Sequence, residues 1–408
     1  MDKVERFAFF GDLQSVLSKN GYLADDLLKK GRFREILSFL LEQEGLNYAH
    51  RPKGLLKFHK YPWGSRTAFE EHLVEAVSYI KDAAGNCFLH FTVSPEHMDG
   101  FKTLLERVRP DYEKRFDVHY HTGFSTQDRA TDTLAVTLNN RPFRQADGRL
   151  LFRPGGHGAL LGNLNHINAD MIFIKNIDNV VPDHLKGETF KWKQVIGGYL
   201  LQLQREIFTY MESLSSGRET TAFLDDVSAF LEESLLYPVP PEMKTASASV
   251  RRADLMERLN RPIRVCGMVK NAGEPGGGPF WVKDKDGETS RQIVETAQID
   301  PDSRSQQGIL GASTHFNPVD LVCGMKDWQG IPFDLSRFTD PDAVFISQKS
   351  KEGKDLKALE HPGLWNGAMA RWITLFVEVP GITFNPVKTV NDLLRKEHQP
   401  PERQSPTS

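Results

Sequence analysis

The stretch 151–183, LFRPGGHGALLGNLNHINADMIFIKNIDNVVPD, constrains the chain most. Arg153 and Pro154 lead into Gly155, Gly156, His157 and Gly158, three glycines in four positions, where the backbone can approach a flat or anionic ligand without Cβ interference. Leu160, Leu161, Leu164 and Ile167 then recur at helical spacing, and Met171, Ile172, Phe173 and Ile174 form a run too apolar for an ordinary edge position. The spacing predicts loop, short helix and a central parallel strand. That strand ends at Asp178 and Asn179, where open α/β sheets bind ligands and metals. Asp and Asn after a strand also make Asx turns and helix caps, so the motif alone leaves both readings open.

The remaining chain sets the surroundings. Its 408 residues allow a large core, and a hydrophobic share of 39% with 26% charged residues is that of an ordinary globular enzyme. The net charge of −3 and the lack of a basic stripe with interleaved aromatics exclude nucleic acid as an expected partner. No apolar run approaches the ~18 residues of a membrane span, and a cytoplasmic location is expected. Cys87, Cys266 and Cys323 are scattered, odd in number and outside any CxxC spacing, which predicts buried thiols rather than a disulfide framework.

Along the chain, residues 1–45 read as a helical segment. Residues 46–67 form a basic loop with Lys53, Lys57, Lys60 and Arg66 among glycines, prolines and aromatics, either a solvated face or a phosphate platform. A strand at 87–93, a helix from Met98 and a strand at 116–124 make a β-α-β unit, with His119 and His121 read as exposed strand residues. The expected domain division is an α/β core over 46–236 with a helical insertion at 185–236, a Pro-rich linker and helix over 237–262, a second α/β part over 263–395 and a disordered tail from 396 to 408. In the second part a strand around Arg291 to Thr296 carries Glu295, and Asn317 either fixes its own turn or meets a sugar hydroxyl.

Taken together, the segments GLNYAHRPKGLLKFHKY, FRPGGHGALLGNLNHINADMIFIKNIDNVVPD, NRPIRVCGMVKNAGEPGGGPFWVKDKDG, STHFNPVDLVCG and FNPVKTVNDLL resemble the bacterial domain-of-unknown-function family 4301 over nearly the whole chain. More distantly, their order is similar to that of the UDP-sugar pyrophosphorylases, which have the nucleotide-diphospho-sugar transferase fold. Pro52 and Lys53 resemble that group's phosphate-contacting element, Gly156, His157 and Gly158 its base-accepting loop, Asp178 and Asn179 its metal-binding Asp-Asn at a strand end, Val294 and Glu295 its approach to the sugar, and Lys388 its phosphate-meeting lysine.

The resemblance implies a Rossmann-like, mixed and mainly parallel sheet with flanking helices. It also implies Mg²⁺, a nucleoside triphosphate or nucleotide sugar, and a sugar 1-phosphate as partners. Lys53 and Lys388 would be catalytic, Gly155, Gly156, His157, Gly158 and Asn179 would bind nucleotide, Glu295 and Asn317 would bind sugar, and Asp178 would hold the metal. A non-catalytic nucleotide-binding protein and a glycosyltransferase on the same fold are the alternatives. The family's glycine-type triphosphate loop has no counterpart in residues 1–50, so a shortened or degraded N-terminal part of the fold is expected.

Overall fold

The computed structural model describes residues 3–401 except 218–219, 274–275, 286 and 352, together with the backbone but not the side chains of 317–319. The chain folds as two compact units, each discontinuous in sequence: residues 1–125, 175–193 and 380–408 form the first, and 126–174 and 194–379 the second.

In the first unit, helices Phe10–Lys19, Ala24–Lys29 and Phe33–Leu41 bury Phe10, Leu13, Leu17, Leu27 and Ile36. A short antiparallel hairpin, Lys57–Tyr61 with Gly64–Thr67, leads into helix Ala68–Ile80. Thr67 and Glu70 close a reciprocal capping box at its start, Thr67 Oγ1 accepting from the Glu70 amide at 3.2 Å and Glu70 Oε2 accepting from the Thr67 amide at 2.8 Å. Such a cap stabilises a helix by about 1 kcal/mol. Strands Asn86–Thr92 and His119–Ser125 pair in parallel across helix Met98–Phe116, the β-α-β unit that the alternation predicts. Cys87, Leu89, Phe91, Tyr120 and Phe124 face the cluster built on Phe69, Leu73 and Phe101. His119 and His121 are exposed.

The second unit is built on a four-stranded sheet ordered Ile373–Glu378, Ile263–Lys270, His315–Gly324, Met171–Ile174. Only its first pair is parallel; the other two are antiparallel, so this sheet is mixed. Met171–Ile174 is therefore neither central nor parallel. It is an edge strand, and its apolar run has a different cause: Met171 and Phe173 pack on the helical cluster of Ile196, Leu200 and Leu203, while Ile172 and Ile174 pack with Cys266, Leu321 and Cys323 on the opposite face. A strand covered on both faces reads as continuously apolar wherever it lies in the sheet.

Two boundary readings change as well. Residues 237–241, read as a linker, have the second unit on both sides, and Val239 is buried in its helical cluster. Residues 396–398, read as the start of the tail, form a short 3₁₀ turn whose His398 is 1% exposed, while 402–408 lie outside the described residues. His398 packs because His59 is available to it, the two rings lying parallel with centroids 5.3 Å apart.

All three cysteines are buried and free, as their spacing predicts. Among the described residues no helix is long and apolar enough to cross a membrane.

The histidines of the first unit make its stability acid-sensitive. Burial, reinforced by Lys175, pushes His72 down to about 4, and burial with His59 pushes His398 down to about 3. The unfolded chain therefore takes up protons first as pH falls below about 6.5, and stability declines from there toward the folded values. The expected outcome is a loss of stability between pH 6.5 and 4.5 with a steep slope. His72→Gln, which retains a donor and cannot titrate, should reduce that slope by up to ~1.4 kcal/mol per pH unit. Urea unfolding at several pH values checks this, and an unchanged slope would refute the assignment.

Candidate functional site

Three segments of the first unit, 125 and 210 residues apart in sequence, meet at one carboxylate. Lys53, on the 3₁₀ turn Lys53–Leu55, donates from Nζ to Asp178 Oδ2 at 2.8 Å and to the Val387 carbonyl at 2.7 Å. Lys388 donates from Nζ to the same Asp178 oxygen at 3.1 Å. The turn brings Lys53 there because Gly54 packs flat on Phe101; a Cβ at Gly54 would lie 2.7 Å from that ring. Asp178 is 6% exposed, whereas the lysine side chains keep 40% and 61% of their exposure. Both cations thus reach in from solvent to a buried acid and are free to turn outward. Asp178 Oδ1 is buried and has no hydrogen-bond partner.

The Lys388 segment is held by Asn179. Its Nδ2 donates to the Thr383 carbonyl at 3.2 Å and its Oδ1 accepts from the Asn385 amide at 2.8 Å. Asn179 is 3% exposed, so its amide is occupied by backbone rather than presented to a ligand. Beyond the lysine, Asp392 Oδ2 accepts from the amides of Lys388 and Thr389 at 2.8 and 2.7 Å.

Behind Asp178 lies a set of buried charges that sequence reasoning missed. Glu71 accepts from Lys186 at 2.6 Å, Tyr61 at 2.6 Å, His59 at 2.9 Å and Arg66 at 3.3 Å. Burial opposes the charged carboxylate, yet Lys186, His59 and Arg66 hold Glu71 well below the usual range. Glu75 does the same for Lys175 at 2.6 Å, with Lys193 at 3.9 Å, and these cations outweigh burial to hold it near 2. His72 is 3.1 Å from the Ile177 carbonyl, immediately before Asp178. A sequence signal existed: four ionisable residues, Glu70, Glu71, His72 and Glu75, crowd a helix that also carries Phe69, Leu73, Val74 and Ala76. Two of their partners, Lys175 and Lys186, are 100 and 115 residues away, and no local pattern names those.

The glycine loop and Glu295 belong to the second unit. Gly156 has φ of +77°, and a Cβ there would lie 2.5 Å from Glu360 Oε2. Gly155 and Gly158 press in the same way on His361 and Pro362. The glycines are thus required by the chain segment 360–362. His157 stacks on Trp365 with ring centroids 4.5 Å apart, and its Nδ1 accepts from the Leu364 amide at 2.9 Å, leaving Nε2 as the protonated nitrogen of the neutral ring. Burial pushes the His157 pKa down against the pull of Glu360. Glu295 caps the turn Thr296–Gln298, and burial raises its carboxyl although Trp365 and Asn366 beside it pull the other way. The loop and Glu295 therefore border one segment, 360–366. The side chain of Asn317 lies outside the described residues.

Among the described residues no group of three or more His, Cys, Asp or Glu side chains is arranged to hold a metal ion. The fit for Mg²⁺ rests instead on the orphaned Asp178 Oδ1, because this ion takes one or two protein carboxylates and completes its shell with phosphate and water.

The chain belongs to the family described as domain of unknown function DUF4301, whose model matches residues 1–399. No curated protein matches it. Among solved structures it is similar to a UDP-glucose pyrophosphorylase mutant of Leishmania major in complex with UDP-glucose, at 15% identity and a TM-score of 0.46 over 85% of this chain and 63% of that one. A Trypanosoma brucei UDP-glucose phosphorylase matches at 16% identity and 0.41 over 85% and 63%, and an Entamoeba histolytica UDP-N-acetylglucosamine pyrophosphorylase-like protein at 12% and 0.41 over 86% and 74%. The chain spans about three-fifths of the length of the Leishmania structures, and similarity at this level carries no functional argument.

Asn179→Ala should release the segment 383–388 while leaving the second unit unchanged. Loss of two hydrogen bonds to buried backbone costs about 1–3 kcal/mol. Hydrogen exchange is the check: faster exchange confined to the Asn385 and Val387 amides is expected, and wild-type protection there would mean that the segment is held otherwise.

Proposed function

We propose that the chain is a metal-dependent nucleotidyltransferase-like protein that joins a sugar 1-phosphate to a nucleoside triphosphate, releasing pyrophosphate. The reading is carried by one observation, the meeting of Lys53, Asp178 and Lys388. Two partly exposed cations on one buried acid suit a polyphosphate, which replaces the acid as their partner. The order of the five sequence motifs supports the same reading.

In this reaction a sugar-phosphate oxygen attacks the α-phosphorus in line, a new P–O bond forms, and the bond to the leaving pyrophosphate breaks. Such chemistry depends on positioning and charge neutralisation rather than on a protein nucleophile. Lys53 and Lys388 turn from Asp178 to the phosphate oxygens and neutralise the charge that develops on the leaving group. Asp178, freed of them, is the residue that would hold Mg²⁺, which supplies further neutralisation of the phosphates when bound. Asn179 keeps Lys388 in place through the backbone of 383–385.

A second reading, nucleotide or nucleotide-sugar binding without turnover, draws on the same geometry, since each lysine must exchange a carboxylate partner before it meets a phosphate. Calorimetry with UTP, UDP-glucose and Mg²⁺ beside a pyrophosphate-release assay distinguishes them. Release with sugar 1-phosphate supports the transferase, and binding without release supports the second reading.

Two substitutions test the assignment of roles. Lys388→Ala should lower turnover by about 10²–10³-fold. Its melting temperature should move by no more than about 2 °C, because a half-exposed ion pair contributes little to stability. Asp178→Asn should abolish Mg²⁺-dependent turnover with the fold intact, as the isostere keeps its shape without the charge. Wild-type rates in either variant, measured as pyrophosphate released, would remove that residue from the site.

A further inference from the structure

The helix Phe33–Leu41 of the first unit is apolar on two sides, six of its 9 residues being Phe, Ile or Leu. One side faces the core: Ile36 is buried, and Phe39 and Leu40 pack on the cluster of Leu13, Leu17 and Leu27. Phe33, Leu37 and Leu41, spaced i, i+4 and i+8, form a second ridge that is 39%, 42% and 39% exposed. A surface helix ordinarily keeps a single apolar stripe for its core, and a helix apolar beyond that stripe is covered there as well. Exposed apolar residues scattered singly need no explanation, but three in register on one ridge make a patch.

The two ends of this ridge carry opposite charge. Lys29, Lys30 and Arg34 stand at its N-terminal end and Glu42 and Glu44 at its C-terminal end, all exposed and in no ion pair among the described residues. Arg32 and Glu35 pair with each other at 2.8 Å. Residues 23–44 hold four basic and five acidic side chains, so the patch lacks the net positive charge that would hold it on an anionic lipid surface. It is complementary to its own copy instead. A two-fold axis through Leu37, perpendicular to the helix, lays Leu37 on its equivalent, Phe33 on Leu41 and each basic end on an acidic end. A parallel arrangement would set like charges together, so the charges select the antiparallel one.

We propose that the ridge of Phe33, Leu37 and Leu41 is the interface of an antiparallel homodimer, its partner a second copy of this chain. The apolar ridge supplies the burial, and the charged ends fix orientation and register. One short helix from each protomer buries less than the roughly 1,600 Å² of a standard interface, so the association is weak and depends on concentration. The interface shares no residue with Lys53, Asp178 and Lys388, and it does not depend on the transferase reading.

Sedimentation velocity of the full chain at low salt, over about 1 to 300 μM, tests it. The wild-type coefficient is expected to rise with concentration toward that of a dimer, and Leu37→Glu to remain monomeric with a wild-type melting temperature. Two charge-reversed proteins, Lys30→Glu/Arg34→Glu and Glu42→Lys/Glu44→Lys, leave the apolar ridge intact. Each alone faces like charge in its own dimer and should associate about tenfold more weakly. Their mixture, in which every reversed end meets a reversed complement, should recover the wild-type constant. If Leu37→Glu melts early, the mixture decides. The proposal is overturned by a wild-type protein that stays monomeric at every concentration, including one that co-sediments with phosphatidylserine vesicles instead. A folded Leu37→Glu that still dimerises, or a mixture no stronger than its components, overturns it equally.

Discussion

The first unit depends on two buried glutamates of one helix. Glu71 and Glu75 are both inaccessible to solvent, and between them they gather Lys186, Arg66, His59, Lys175 and Lys193 from the hairpin before the helix and from residues 175–193. Two charges alone would not repay their desolvation, but each carboxylate here accepts from more than one donor, the condition under which a buried ion network holds. Removing one member would leave the others charged and unpaired. The network thus ties distant segments into one arrangement more sharply than apolar packing does.

Asp178 gains its position from this arrangement. Lys175 is fixed by Glu75 and the Ile177 carbonyl meets His72, so the chain on the N-terminal side of Asp178 is pinned at two points. On the other side Asn179 joins it to 383–385, and the Asp178 carbonyl accepts from the Val387 amide at 3.0 Å. Only the two lysines that contact the carboxylate itself remain half exposed. Rigidity lies in the acid and freedom in the cations, which suits a site whose charges must change partners.

Much of the local structure was legible in the sequence because it has local causes. The alternation of Cys87, Leu89 and Phe91 marks a half-covered strand, and the spacing of Leu13 and Leu17 marks a buried helical face. Lys53, Asp178 and Lys388 could be singled out from motifs, and they do meet, although the roles assigned to them are a proposal. The edge position of Met171–Ile174 was hidden, since apolar cover on both faces produces the same run at an edge as at a centre. The buried charges were hidden because periodicity assigns charged helix positions to solvent, and Lys175 and Lys186, 100 and 115 residues away, cannot be read from a local pattern. His398 was hidden in a polar tail by the same logic, its place being set by His59 at a separation of 339 residues.

The placement of Lys388 and His398 has a consequence for how the protein is made. The first unit is assembled from the beginning of the chain, a central piece and residues 380 onward, so its closing piece leaves the ribosome after the whole second unit has been synthesised. At about 5–20 residues per second, roughly twenty seconds or more pass between the first helix and that closing piece. During this interval Glu71, Glu75 and Asp178 have only part of their final surroundings, and Val4, Phe9 and Leu13 lack the cover of Val387 and Leu393. The second unit, whose 194–379 portion is nearly continuous, can collapse in that time. Nascent chains of this protein therefore carry an open, partly apolar first unit while the second unit is being synthesised, a state that invites chaperone capture until residues 380 onward arrive.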